Sequence, residues 1–180
     1  MGKYHNRRAT HTVLMAELTV LKFPDRRLRL KAQPVAAAGE RLRRLADDML
    51  ETMYAAGGVG LAATQVNVQQ RLLVMDVSPE RESPQRLVNP EIVDVEGEVV
   101  SEEGCLSVPE FTAEISRAER VTVRARTVDM EPVELELEGL AAICVQHEID
   151  HLDGKLFIDY LSPLKRRMLR KRLEKTARAG

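Results

Sequence analysis

The stretch Gln146-His147-Glu148-Ile149-Asp150-His151 constrains this chain more than any other. Two histidines four residues apart stack on one face of a helix, one turn above the other. Two neutral imidazoles so placed form a bidentate site for a divalent transition metal. Glu148 points roughly 100° around the helix from His147. It is badly placed as a third ligand and well placed to hydrogen-bond a metal-held water as a general base. The plainer alternative is a surface helix that happens to carry these residues. Leu140, Ile143, Cys144, His147 and His151 share one stripe, however, so the histidines lie on an apolar face.

A catalytic site of this kind needs a third protein ligand and an open position for water. Glu103-Gly104-Cys105-Leu106-Ser107-Val108-Pro109 supplies a candidate, because Cys105 sits in a loop that interrupts strand-like sequence. A thiolate is a strong ligand for a divalent ion. A free cysteine is more commonly a small buried hydrophobe, and Cys144, on the apolar face of the helix, suits that description better. A third histidine three residues after Gly154 would give the metzincin pattern, but that position is Phe157. A downstream glutamate, as in thermolysin-like proteases, could only be Glu174, which lies in a basic segment near the end of the chain.

The rest of the sequence frames this site. At 180 residues the chain fits one domain with a sizeable core. A net charge of −1 gives no overall field favouring nucleic acid or membrane. No apolar run is long enough to span a bilayer, and no secretory signal is evident, so no membrane partner is expected. Two cysteines in unlike contexts do not form a disulfide framework, so a reducing cytoplasm is the expected location. Residues 1–15 are expected to be a flexible, polar extension; Met15 lies just before the patterned sequence begins. Leu18–Lys22 reads as a short strand stopped by Pro24-Asp25. Leu42, Leu45, Met49 and Met53 mark an amphipathic helix over about 38–56, ended by Gly57-Gly58. Gly58-Val59-Gly60-Leu61-Ala62-Ala63-Thr64-Gln65 reads either as a buried loop of close backbone approach or as a ligand-facing loop carrying Gln65. Strands are expected at Arg71–Val77, Arg86–Val88, Glu91–Val100, Phe111–Ser116, Arg120–Val128 and Val133–Glu138. Turn signals at Asn89-Pro90, Gly97, 117–119 and 129–132 separate them, a spacing that favours antiparallel sheets. Ser162-Pro163 opens a last helix rich in Lys and Arg, expected to dock through Leu164, Met168 and Leu169. Its charge suits either a solvated face or contact with an acidic partner such as RNA.

Three segments taken together resemble the signature motifs of the peptide deformylase family, in order: Gly58–Gln65, Glu103–Ser107 and Gln146–His151. The likeness runs from about Leu18 to the C-terminus and is closest to the bacterial type 1 enzymes. It implies an α+β fold in which antiparallel β-sheets surround a central metal-binding α-helix, with an N-terminal amphipathic helix and a basic C-terminal helix. Residues 16–164 would form one catalytic domain and 165–180 a basic helix or tail. It implies that Cys105, His147 and His151 ligate one divalent metal, with Fe²⁺ in the cell and Zn²⁺, Ni²⁺ or Co²⁺ as substitutes. Thiolate with Fe²⁺ would also be oxygen-sensitive. Glu148 would be the general base, with the Gln65 amide and the Leu106 N–H as oxyanion donors. Gly60 and Gly104 would hold the peptide backbone. Val59, Leu140, Ile143 and Cys144 would line the methionine pocket. The implied substrate is an N-formylmethionyl nascent peptide, met at the ribosome exit tunnel through the basic C-terminal helix by a monomer. Phe111 and Thr112 depart from familiar members and would bear on downstream substrate residues. Two other functions compete with this one: a zincin-type endopeptidase, and an RNA- or ribosome-binding module with a structural metal. Phe157 and the Cys105 loop disfavour the first, and a three-ligand set disfavours the second, since structural sites are normally closed.

Overall fold

The computed structural model describes residues 16–179; the extension expected at 1–15 lies outside the described residues, as does Gly180. Among the described residues the chain forms three α-helices and seven strands. They are α1 (Glu40–Ala55), β1 (Gly60–Ala62), β2 (Leu72–Met75), β3 (Gln85–Glu96), β4 (Val99–Cys105), β5 (Val108–Arg117), β6 (Arg120–Arg126), β7 (Pro132–Glu138), α2 (Gly139–Leu152) and α3 (Pro163–Ala179). Five strands make one sheet in the order β1-β2-β3-β6-β7, and β4-β5 form a separate hairpin. Every ladder is antiparallel, as the short strands and turn signals require.

The five-stranded sheet has a helix on each face. Strand β2 is buried at all four positions. Alternation sends Leu72 and Val74 into the core with α1, and Leu73 and Met75 into the core with α2. Leu42, Met49 and Met53 of α1 are buried as the periodicity requires. The core face of α2 is Ala142, Val145, Ile149 and Leu152. The stripe that begins at Leu140 turns instead to a cleft, with Leu140 still 54% exposed. A third core joins the hairpin residues Val108 and Ile115 to Leu21, Leu28, Leu156, Phe157, Ile158 and Leu169. The arrangement is α+β, with α2 at its centre.

Four local expectations change. Leu18–Lys22 forms no strand: the Leu18 N–H donates to the Thr52 hydroxyl of α1 and the Leu21 N–H to Gln65 O, so no ladder runs along it. Gly58–Gln65 is not a simple loop: Gly60–Ala62 pairs with β2, and Ala63–Val66 forms a 3-10 turn. Asn89-Pro90 is not a turn but a bulge inside β3. Asn89 takes φ 51°, and its amide exchanges two hydrogen bonds with the Val35 backbone, so the interruption is held in place. The strand expected over Glu91–Val100 breaks at Gly97, with φ 69°.

Helix α2 ends where Gly154 takes φ 74° and lets the Lys155 N–H return to Asp150 O at 2.8 Å. A Cβ at Gly154 would also strike Arg29 O at 2.5 Å. Of the three apolar residues expected to dock helix α3, Leu169 is buried, while Leu164 and Met168 are 59% and 63% exposed. Leu164 and Met168 are one turn apart on a common face, and Leu169 lies about 100° around from it. Lys165, Arg166, Arg167, Arg170, Lys171 and Arg172 are exposed.

Candidate active site

Three elements meet at a cleft of about 530 Å³. Helix α2 contributes His147, Glu148, Leu140, Ile143 and Cys144; β1 and its approach contribute Val59 and Gly60, with Gln65 just beyond; the β4–β5 hairpin contributes Gly104, Cys105 and Leu106. Every residue expected at the site from sequence lines this cleft except His151, which is buried. The helical repeat aims both imidazoles at one point, with His151 Nε2 3.2 Å from His147 Nε2. Cys105 Sγ is 3.2 Å from His151 Nε2, and the three ligand atoms lie within 4.8 Å of one another.

Cys105 reaches this point because a two-residue turn, Leu106-Ser107, joins β4 to β5, with a bulge between Glu103 and Cys105. Alternation along β4 puts Glu103 on the inward face with Cys105. His147 Nδ1 lies 2.9 Å from Glu103 Oε2. An ionised carboxylate only accepts, so Nδ1 carries the proton toward Glu103, an arrangement that would leave Nε2 free to hold a metal. Arg117 grips Glu103 in turn, Nε to Oε1 at 2.7 Å, and reaches Asp150 Oδ2 with Nη1 at 2.6 Å. The Tyr160 hydroxyl completes the chain by donating to Asp150 Oδ2 at 2.8 Å.

The electrostatics suit a cation. Burial alone would raise the Glu103 carboxyl, but hydrogen bonds from His147 and Arg117 outweigh it and hold the carboxyl below its ordinary value. Burial, opposed by nearby His147, pushes Glu148 up to about 7. The value is that of a carboxylate able to take and return a proton near neutral pH. Burial holds His151 well below the ordinary histidine value, which keeps it the neutral imidazole a metal needs. Burial also opposes charge on His147, yet the hydrogen bonds to Cys105 and Glu103 raise it. That excess of negative groups around His147 is the environment a divalent ion would neutralise. Two further buried atoms, Glu148 Oε2 and His151 Nδ1, have no protein partner. The donor set therefore fits a metal of the zinc or ferrous class.

Gln65 is buried and oriented. Its Oε1 accepts from the Ala62 N–H at 2.8 Å, which fixes Nε2 toward Ser107 Oγ (3.1 Å) and Cys105 Sγ (3.7 Å). Gly60 is a close-approach glycine, since a Cβ there would meet Glu148 Oε1 at 2.5 Å and Cys144 Sγ at 2.7 Å.

The chain matches the family model described as Polypeptide deformylase over residues 17–167. The chain belongs to the peptide deformylase family. A peptide deformylase of Alkalilimnicola ehrlichii is 58% identical over 167 residues, covering 92% of this chain and 94% of the relative. The crystal structure of a peptide deformylase from Legionella pneumophila superposes with TM-score 0.86 at 51% identity, covering 91% and 97% of the two chains. A Met-Ala-Ser-bound class I type b peptide deformylase from Acinetobacter baumannii superposes with TM-score 0.77 at 36% identity, covering 82% of this chain and 100% of that one. Peptide deformylases are metal-dependent hydrolases that remove the formyl group from N-terminal methionine, and this chain is such an enzyme. Among the described residues no helix is long and apolar enough to cross a membrane.

Three residues of this deformylase's site carried no assigned role in the sequence. Glu103 opened a motif, Ser107 ended it, and Arg117 read as part of a turn. The available signal was alternation: in β4, Glu103 shares a face with Cys105, so a charged residue was directed inward. Phe157, where a metzincin would place its third histidine neighbourhood, instead stacks on the His147 ring at 5.9 Å.

Proposed function

We propose that this enzyme hydrolyses the formyl amide with Cys105, His147 and His151 as metal ligands and Glu148 as the base. The observation that carries the reading is the convergence of these three ligand atoms at one end of a cleft that Glu148 also lines. A bound divalent ion would supply a polarised water of lowered pKa at this point. Glu148 accepts the proton of the attacking water and delivers it to the departing methionine amine. The Gln65 Nε2 and the Leu106 N–H face the developing oxyanion. Gly60 and Gly104 admit the peptide backbone as an added strand. Val59, Leu140, Ile143 and Cys144 surround the methionine side chain. The Met-Ala-Ser ligand of the Acinetobacter baumannii relative supports a methionine-first peptide as the occupant.

Formate release from a formyl-Met-Ala peptide, measured with metal content, tests these roles. Cys105→Ala is expected to lose metal, and Glu148→Ala to keep metal and lose turnover. Wild-type formate release by Glu148→Ala would falsify the base assignment.

The Cys/His₂ set and the family likeness support Fe²⁺ as the working ion, in a monomer of the cytoplasm. Nickel- or cobalt-loaded enzyme is then expected to outlast iron-loaded enzyme in air, and equal half-lives would contradict iron-linked oxidation of Cys105. Residues 16–164 act as the catalytic domain, and the basic segment 165–180 docks on the ribosome near the exit tunnel. The exposed Lys and Arg side chains of α3 support this docking. Truncation after Leu164 is expected to weaken ribosome co-sedimentation while leaving peptide turnover intact; unchanged, salt-insensitive co-sedimentation would refute it.

A further inference from the structure

Residues Leu21–Phe23 run beside both loops that carry the proposed oxyanion donors. The Leu21 N–H donates to Gln65 O and the Phe23 N–H to Ser107 O, each at 2.7 Å. Between these two anchors the Lys22 side chain crosses to Leu106 O, with Nζ 2.5 Å from the oxygen. That carbonyl belongs to the peptide group joining Leu106 to Ser107. The N–H at the other end of the same group is that of Ser107, and it donates to Cys105 Sγ at 3.4 Å. A line of hydrogen bonds thus runs from an exposed ammonium, through one peptide group, to the sulfur at the candidate metal site.

The peptide bond conjugates its two ends. A cation on the carbonyl oxygen draws density from nitrogen to oxygen, which makes the N–H a stronger donor. Charge-assisted bonds are about twice as strong as neutral ones, and polarisation strengthens the next bond in a chain by about 10–30%. Ser107 is fully buried, and its Oγ also accepts from Gln65 Nε2. The orientation of this one residue therefore bears on both the sulfur and the Gln65 amide. Hydrogen bonds to a metal-binding sulfur withdraw electron density from it and tune the metal.

We infer that Lys22 is a positioning residue for Cys105, acting through the Leu106–Ser107 peptide group. Its charge orients that group and strengthens the N–H···S bond on the ligand sulfur. The inference rests on the reading of Cys105 as a metal ligand.

The test uses full-length Lys22→Arg, Lys22→Gln and Lys22→Met. In the metal-free, nitrogen-15-labelled proteins, the Ser107 amide proton moves upfield most in Lys22→Met, less in Lys22→Gln and least in Lys22→Arg, while the α1 amides stay in place. In the cobalt-loaded proteins, the sulfur-to-cobalt charge-transfer band moves to lower energy in the same order. An unmoved Ser107 amide and an unmoved band in Lys22→Met overturn the inference and leave the ligand assignment standing. Equal shifts in Lys22→Arg and Lys22→Met also overturn it, because they mark a loss of packing rather than of charge. A wild-type cobalt protein with no sulfur-to-cobalt band overturns the ligand assignment, and the inference with it.

Discussion

Replacing Gly60 by alanine tests the role of Glu148 without altering Glu148. The backbone at Gly60 has no positive φ, so alanine introduces no conformational strain there. The added Cβ falls 2.5 Å from Glu148 Oε1 and 2.7 Å from Cys144 Sγ. Ordinary contact begins near 3.4 Å, so the carboxylate must retreat by about 0.9 Å. A misplacement of about 1 Å in reacting geometry lowers the rate about 10²-fold, equivalent to about 2.7 kcal/mol of barrier. Stability should change less, by about 1–2 kcal/mol, because the atoms that move are side-chain ends rather than backbone. Formate release, metal content and a thermal melt separate these effects. Gly60→Ala is expected to keep its metal and its fold, with kcat reduced about 100-fold. Gly104→Ala is the control: its Cβ would lie 3.5 Å from Thr112 Cγ2, an ordinary contact. It should raise KM by crowding the peptide while kcat holds, the pattern of a lost ground-state contact. Wild-type kcat in metal-loaded Gly60→Ala would refute the claim that the observed position of Glu148 is the working one.

Arg117→Met leaves Glu103 buried without its ion-pair partner, a change that costs about 3–5 kcal/mol; urea unfolding should show it, and adding Glu103→Gln should recover part of the loss. The same variant loosens the carboxylate behind His147, so chelator competition should reveal metal affinity lower by about 10–100-fold. Burial alone would raise the Asp76 carboxyl, but hydrogen bonds from the Ser78 and Tyr54 hydroxyls and the Ser78 and Ser83 amides hold it below its ordinary value. Its stabilising contribution is therefore complete above the ordinary aspartate range and lost as pH falls through the lowered folded value. Asp76→Asn should flatten the acid limb of the stability curve, and parallel limbs in the two proteins would contradict this. Leu169→Ala removes an apolar residue that is buried on α3; tryptic cleavage in Pro163–Ala179 should quicken while core stability is nearly kept.

What the sequence made legible follows from periodicity. The 3.6-residue repeat placed α1 and paired His147 with His151, and the two-residue repeat placed β6, where Val121, Val123 and Ala125 are buried in alternation. The reading was weaker wherever a signal has two physical meanings. Asn89-Pro90 carries turn chemistry, yet a bulge uses the same positive φ and missing N–H. Leu18–Lys22 has strand-like residues, but its backbone N–H groups bond singly to Thr52 of α1 and to Gln65 O, so no ladder forms. Leu164, Met168 and Leu169 are all apolar, and only the docked position of α3 decides which is covered. Of the residues at the cleft, His147, Glu148 and Cys105 were legible from spacing and context, while Val59, Gly60, Gly104, Leu106, Leu140 and Ile143 came through family likeness. The network behind them was not legible, because Arg117 and Asp150 are charged residues whose burial depends on partners distant in the chain.

That network has a geometric purpose in this fold. The β4–β5 hairpin is an excursion between β3 and β6, and it shares no ladder with the main sheet. Its backbone therefore does not fix Cys105 relative to α2 in the way that β1 and β2 are fixed by their register. Apolar contact through the third core packs the hairpin residues Val108 and Ile115 against Leu21, Leu28 and the Leu156–Ile158 stretch after α2, but it is non-directional. The directional constraints are Glu103 on His147, Arg117 across Glu103 and Asp150, and the Leu21–Phe23 segment on the tip of the hairpin. A fully satisfied buried polar network rigidifies what apolar packing leaves free to slide. As a proposed metal ligand the sulfur would have to meet two imidazoles to within a few tenths of an ångström, a tolerance that these hydrogen bonds serve better than apolar packing alone. On the proposed assignment, helix α2 would bring two ligands and the base, and the tethered hairpin would add the sulfur.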